Sequence, residues 1–455
     1  MRYALSIVST LASAMLLLAL SACGDGGGSG EPADAGIDAA DPSLRPGYSA
    51  NWQRDILSYD LQIDLAAQSG VATIVVAGDT STGMSLAVGN LIIDKVSDSF
   101  GDLMQLNLGQ ELLIGVPAGG ETRTVVIDYH YRNNNSFNGW SDEKNLSFLW
   151  PDLCGNFFPC NPDPAEGASF TISVSGMPEG ASGVVVYPAS IPGDAPAYMP
   201  AIVVGDYSQR VLGTTPAGTE VSVWHRPGET ENADIGTANL VGVFDFLEKT
   251  YGPYSFGNKV GTVSVTWGVG QFGGMEHHPL WHVADGALNS EEVNAHEAAH
   301  GWYGNGVRIA CWEDFVLSEG VVTYMAARAL EGFGVDLWAD TYDCELSRIC
   351  NGAANTIALL NSCGEIDIIN HPLWSNTPYQ KGAQYLREVA LLLGKDVVDQ
   401  ALAEFYQANV GKAAHMRGLV ELLKSKGNAA EIEALTLAWL ETESCPVSAK
   451  ALCPG

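Results

Sequence analysis

Between residues 48 and 235 the apolar positions alternate with polar ones in short runs. Tyr59-Asp-Leu-Gln-Ile-Asp-Leu65 and Thr124-Val-Val-Ile-Asp-Tyr-His-Tyr131 both have the two-residue period of a half-buried strand. Phe170–Val174 and Glu220–Trp224 continue the series, and turn signals such as Val116-Pro-Ala-Gly-Gly120 lie between the runs. This stretch predicts an antiparallel β domain. After residue 236 the period lengthens to that of helices. Helical patterns cover 239–251, 290–305, 318–332, 379–394, 396–409 and 415–426, with one strand at Gly261–Thr266. The expected class is therefore α+β: a β domain over 48–235, then a mainly helical domain over 236–455.

The first 47 residues follow neither pattern. Arg2 precedes a mainly apolar run from Ala4 to Leu20, and Leu20-Ser21-Ala22-Cys23 follows. A charged start, a short apolar core and small residues before a cut describe a signal peptide over 1–23. Its end resembles a bacterial lipobox, which implies a lipid on Cys23 and a membrane anchor; the alternative is an ordinary signal peptide in which Cys23 is incidental. Residues 24–47 are Gly, Ala, Asp and Pro with almost no large apolar residue, so they predict a flexible tether. The expected location is a bacterial cell envelope, and Gly24 after Cys23 points to the outer membrane.

Composition narrows the partners. The 455 residues are 46% hydrophobic and 16% charged, enough for proper cores. A net charge of −31 argues against nucleic acid as a partner. Eight cysteines remain beyond Cys23, an even number in an exported chain. Close spacing favours the pairs 154/160, 344/350 and 445/453, leaving 311 with 363. No two cysteines stand in a C-x-x-C arrangement, which argues against a cysteine zinc site.

The chemistry is concentrated in His296-Glu297-Ala298-Ala299-His300. On a helix, residues four apart share a face, so both imidazoles can reach one ion while Glu297 projects beside them as a base for water. Asn289 or Ser290 can cap this helix, with Glu291 and Glu292 in its first turn. A catalytic zinc takes three protein ligands and keeps one position open. Eighteen residues separate His300 from Glu319, which opens a second apolar helix and supplies the third ligand.

The stretch from His296 to Gly320 resembles the gluzincin aminopeptidases, the family of alanyl aminopeptidase and leukotriene hydrolase. Besides the spaced His-Glu-His-Glu set, it has Tyr303-Gly304-Asn305 and Trp312-Glu313-Asp314. Gly273-Gly274-Met275-Glu276-His277 looks like the family's exopeptidase motif, with His277 where the family has Asn. Pro378-Tyr379-Gln380-Lys381-Gly382 is similar to the segment whose Tyr stabilises the oxyanion. The resemblance implies a thermolysin-like catalytic domain and one zinc ion per chain on His296, His300 and Glu319. It also implies Glu297 and Tyr379 as catalytic groups, and Gly273, Gly274, Met275 and Glu276 as substrate-binding, with Glu276 on the free α-amine. Asp314 is expected to orient a ligand histidine. The substrates implied are peptides. The helical domain that covers the site in most members has no counterpart in the sequence. An endopeptidase with an open cleft, and a surface-binding lipoprotein without catalysis, are the alternatives.

Overall fold

In the computed structural model, residues 46–446 are described apart from 135–137, 150–151, 268–272, 352–355 and 365. Cys23 and the whole leader therefore lie outside the described residues, as do nearly all of the tether and Cys453.

The alternating runs become a seven-stranded sheet in the order 190–195, 168–175, 56–64, 69–76, 123–130, 92–98, 101–102. Tyr59, Leu61 and Ile63 point into the core while Gln62 between them stays exposed. One pairing departs from the expected antiparallel order. Ile56–Asp64 and Ala168–Ser175 run parallel, with Ser58 opposite Ser169, because more than a hundred residues separate the two strands and no hairpin dictates their sense. The Glu220–Trp224 strand also sits elsewhere than expected. It belongs to a five-stranded sheet in the order 208–214, 220–225, 259–265, 280–284, 274–275. Within that sheet Lys259–Val265 has parallel neighbours on both sides and is buried from Val260 onward, as a continuous apolar strand should be.

Nine helices are assigned among the described residues: α1 (Thr230–Gly236), α2 (Leu240–Tyr251), α3 (Glu291–Ala299), α4 (Phe315–Glu331), α5 (Asp343–Asn351), α6 (Asn376–Leu393), α7 (Lys395–Asn409), α8 (Met416–Ser425) and α9 (Ala429–Trp439). One hydrophobic core runs through the helices and the near side of the five-stranded sheet, and a second fills the seven-stranded sheet. Phe244 of α2 stacks on Trp281 at 6.3 Å and meets Trp302 edge-on at 5.3 Å. Truncating such a ring costs about 3–5 kcal/mol. Polar links fix α3 on the sheet as well. Trp281 Nε1 donates to Thr262 Oγ1 at 3.0 Å, and Thr262 donates to Asn294 of α3 at 2.6 Å.

Two disulfides follow the expected pairing, Cys154–Cys160 and Cys311–Cys363. The third joins Cys350 to Cys445, which overturns the local pairs 344/350 and 445/453. Cys344 and Cys350 lie on one helix, α5. Six residues of helix separate their Cα atoms by about 9 Å and turn them to different sides, beyond what a disulfide spans. Cys344 is itself disulfide-bonded.

Candidate active site

Ser290 starts α3 by accepting a hydrogen bond from Val293 N at 3.2 Å, and Glu291 and Glu292 favour the positive helix end. The helix stops six residues short of the expected end. His300 is its C-cap, and the chain doubles back so that Asn305 N bonds to His300 O at 3.2 Å. Gly304 makes this possible with φ +92°, and a Cβ there would lie 2.8 Å from His300 Nδ1.

The turn thereby orients the first imidazole. His300 Nδ1 faces the Tyr303 carbonyl at 3.1 Å, so that nitrogen carries the proton and Nε2 offers its lone pair. His296 Nδ1 faces Thr323 Oγ1 at 3.4 Å, while Thr323 donates onward to Glu319 O at 2.7 Å. The two Nε2 atoms consequently meet at 3.2 Å, with Glu319 Oε2 at 3.2 Å from one and 3.4 Å from the other. Glu319 stands on α4, which begins at Phe315 rather than at 318 and is buried almost throughout.

Two glycines let the next helix close on this group. A Cβ on Gly320 would sit 2.7 Å from Gly382 Cα, so α4 and α6 cross nearly backbone to backbone. That crossing brings Tyr379 over the site, its ring stacked on His296 at 5.7 Å. Burial, then Glu319, Glu276 and Glu297, push the phenol well above its ordinary range, so it remains a donor. The neighbouring Lys381 serves the fold instead. Its Nζ donates to the carbonyls of Thr356, Thr442 and Glu443 at 2.8–3.0 Å.

On the other wall, the short strand Gly274–Met275 pairs with Leu280–Ala284. Gly274 is bare because Glu297 needs the room: a Cβ would lie 2.4 Å from Glu297 Oε1. Glu276 is buried, and Asn305 Nδ2 holds its carbonyl at 2.8 Å. Ligand atoms of Glu276, Glu297 and His300 all fall within 4.8 Å of one another. A cleft lined by Gly273, Gly274, Met275, Glu276, Glu297 and Tyr379 also contains the His296, His300 and Glu319 group. His277 lies outside it, buried against Phe148 and His282 and held neutral by that burial with its pKa down at about 3.

Two expectations from the sequence need change or addition. Asp314 orients no ligand histidine; it accepts from Met416 N at 2.9 Å and meets His415 Nδ1 at 2.7 Å, fastening α8. His278 and Tyr254 were not singled out by sequence. Tyr254 donates to His278 Nδ1 at 2.8 Å, and His278 Nε2 donates to Glu297 O at 2.7 Å, which seats the helix carrying the base.

The donor set fits a divalent cation. Three carboxylates and two imidazoles share one buried region, and burying that much negative charge demands a cation. Both Nδ1 atoms are engaged while both Nε2 lone pairs converge with Glu319. Without an ion, burial opposes charge on His300, yet Glu319 and Glu276 outweigh it and hold its pKa up at about 10. Glu297 Oε2 is buried with no hydrogen-bond partner, an acceptor with capacity to spare.

Residues 275–439 match the model of the peptidase family M1 domain. That stretch, which holds His296, His300 and Glu319, is what the chain shares with the family. Aminopeptidase M1-B of Oryza sativa subsp. japonica is 26% identical over 458 residues, covering 86% of this chain and 50% of that protein. Leucine aminopeptidase 2 of Aspergillus niger is 27% identical over 294 residues, covering 57% of this chain and 45% of that one. The chain thus spans about half the length of these relatives. The M1 zinc metallopeptidase of Deinococcus radiodurans shares the fold, with a TM-score of 0.72 at 22% identity over 87% of this chain and 96% of that one. Yeast LTA4 hydrolase does so with a TM-score of 0.70 at 19% identity, over 87% of this chain and 69% of that one.

Proposed function

We propose that this chain is a zinc aminopeptidase that releases N-terminal residues from peptides. The observation that carries the reading is the meeting of Glu276, Glu297 and His300 within 4.8 Å, beside the converging His296, His300 and Glu319 donors. An amine-binding acid and a base are thereby held one residue apart. The aminopeptidase names of the rice and Aspergillus relatives support it.

His296, His300 and Glu319 would hold the zinc, which supplies a Lewis acid for the scissile carbonyl and makes nearby water more acidic. Glu276 receives the free α-ammonium as a charge-assisted pair and so measures one residue from the peptide's amino end. Glu297 takes a proton from the attacking water and returns it to the leaving amine. Its own pKa is raised well above the ordinary carboxylate range, first by burial, so it takes up a proton more readily than an exposed acid. The protonated Tyr379 donates to the oxygen on which negative charge develops. His277, buried away from the cleft, leaves the amine pocket to Glu276.

The reading includes a lipid on Cys23, carried by Leu20-Ser21-Ala22-Cys23, that anchors the enzyme in a bacterial envelope, in the outer membrane. Among the described residues no helix is long and apolar enough to cross a membrane. Labelled palmitate should enter the wild type and not Cys23→Ala.

Free and N-acetylated forms of one peptide, each with and without a chelator, test the activity. Cleavage of the free form alone, lost to the chelator and restored by zinc, is expected. Equal cleavage of the acetylated form would replace the reading with an endopeptidase. No cleavage of either form by zinc-loaded protein would remove it.

A further inference from the structure

The cleft continues past the chemistry. One turn of α3 before His296 stands Glu292, and the same cavity reaches Glu345 of α5 and Gln380 of α6. Gln380 Nε2 donates to Glu345 Oε2 at 2.9 Å. Because a carboxylate can only accept there, the amide orientation is fixed and its Oε1 is left over. Gln380 is 3% exposed, and this Oε1 is buried without a hydrogen-bond partner. Neither Glu292 nor Glu345 has an ion-pair partner among the described residues; Arg348 acts on Glu345 only from a distance. Tyr342 feels both carboxylates but spends its hydroxyl on Thr323 O at 3.3 Å.

Around Glu292 and Glu345 two carboxylates and the Gln380 Oε1 acceptor face a single engaged side-chain donor, Gln380 Nε2. Burial and then the Glu345 charge push Glu292 up to about 7, the mark of two acids set together without a cation. The amide acceptor, the two carboxylates and the half-buried surroundings fit an ammonium or guanidinium on a flexible stem.

The direction of the peptide follows from the other end. Glu276 clusters with His300, whereas Glu292 lies beyond His296, about 6 Å further along the helix axis. A peptide whose amine is fixed at Glu276 therefore extends its leaving portion toward Glu292. We propose that Glu292, Glu345 and Gln380 form a subsite for the basic side chain of a lysine or arginine immediately after the scissile bond. This rests on the aminopeptidase reading and specifies its substrate class.

The test is a tripeptide series Ala-X-Ala, with X as Lys, Arg, Gln, Leu or Glu, cleaved by the zinc-loaded protein. The expected kcat/KM for Lys and Arg exceeds that for Gln and Leu by at least about tenfold, near one charged hydrogen bond, with Glu lowest. Added salt should shrink the preference. Glu345→Gln should bring the Lys-to-Gln ratio toward one, and Glu345→Lys should favour X as Glu. A flat series in the wild type overturns the subsite while leaving the aminopeptidase standing. A wild-type preference that survives both variants also overturns it. No cleavage at any X overturns both.

Discussion

Among the described residues, two of the three groups that bring potential metal donors within 4.8 Å lie apart: His296, His300 and Glu319 in the cleft, and Cys311, Asp314, Cys363 and His415 beside α8. By distance alone they are equals, and the second offers more donors. Their bonding separates them. In the cleft both Nδ1 atoms are engaged and both Nε2 lone pairs stay open, under nearly complete burial. Beside α8 the sulfurs are joined in a disulfide, so no thiolate exists to bind. Asp314 is committed to Met416 N and His415, whose side chain is 59% exposed. Proximity gathers donors in both places; uncommitted lone pairs in a buried setting fit only one of them for a metal.

The largest expected difference comes from matched histidine removals. His300→Ala should lose zinc and at least about a thousandfold in activity, whereas His415→Ala should keep one zinc per chain, both read by metal analysis and peptide turnover. Tyr379→Phe sharpens the contrast by leaving every ligand in place. It should keep zinc and lose about 10²–10³-fold in kcat, with KM moving far less. The double variant Cys311→Ser, Cys363→Ser opens a link across 52 residues and should cost about 2–4 kcal/mol in denaturant unfolding, with zinc unchanged at one. Asp314→Asn should cost about 1 kcal/mol by weakening the hold on α8, again without touching the metal. Zinc loss in either of the last two would erase the distinction between the clusters.

Much of the cleft was legible because its logic is local. His296, Glu297 and His300 lie within five residues of one helix, and helical geometry fixes their relation. Glu319 needed only the next apolar helix to pack nearby. The alternating runs likewise disclosed their strands, although pairing sense is a long-range property and the parallel contact of Ile56–Asp64 with Ala168–Ser175 left no local mark. What stayed hidden depends on crossings. Gly320 against Gly382, Tyr254 and His278 behind Glu297, and Gln380 beside Glu345 join segments far apart in the chain. The Cys350–Cys445 bond was obscured in the same way, since spacing favours near neighbours and the helix α5 forbids one such pair. Short α5 has too few turns for a clear period, and α9 has apolar residues on more than one side, with Leu437 57% exposed.

The central claim is that three buried donors hold one zinc beside an acid that moves the proton. Glu297→Gln tests it most directly, by zinc content and turnover on the same purified sample. The account predicts one zinc per chain with hydrolysis reduced about 10²–10⁴-fold. Turnover near the wild-type rate, or wild-type protein without stoichiometric zinc, would contradict it.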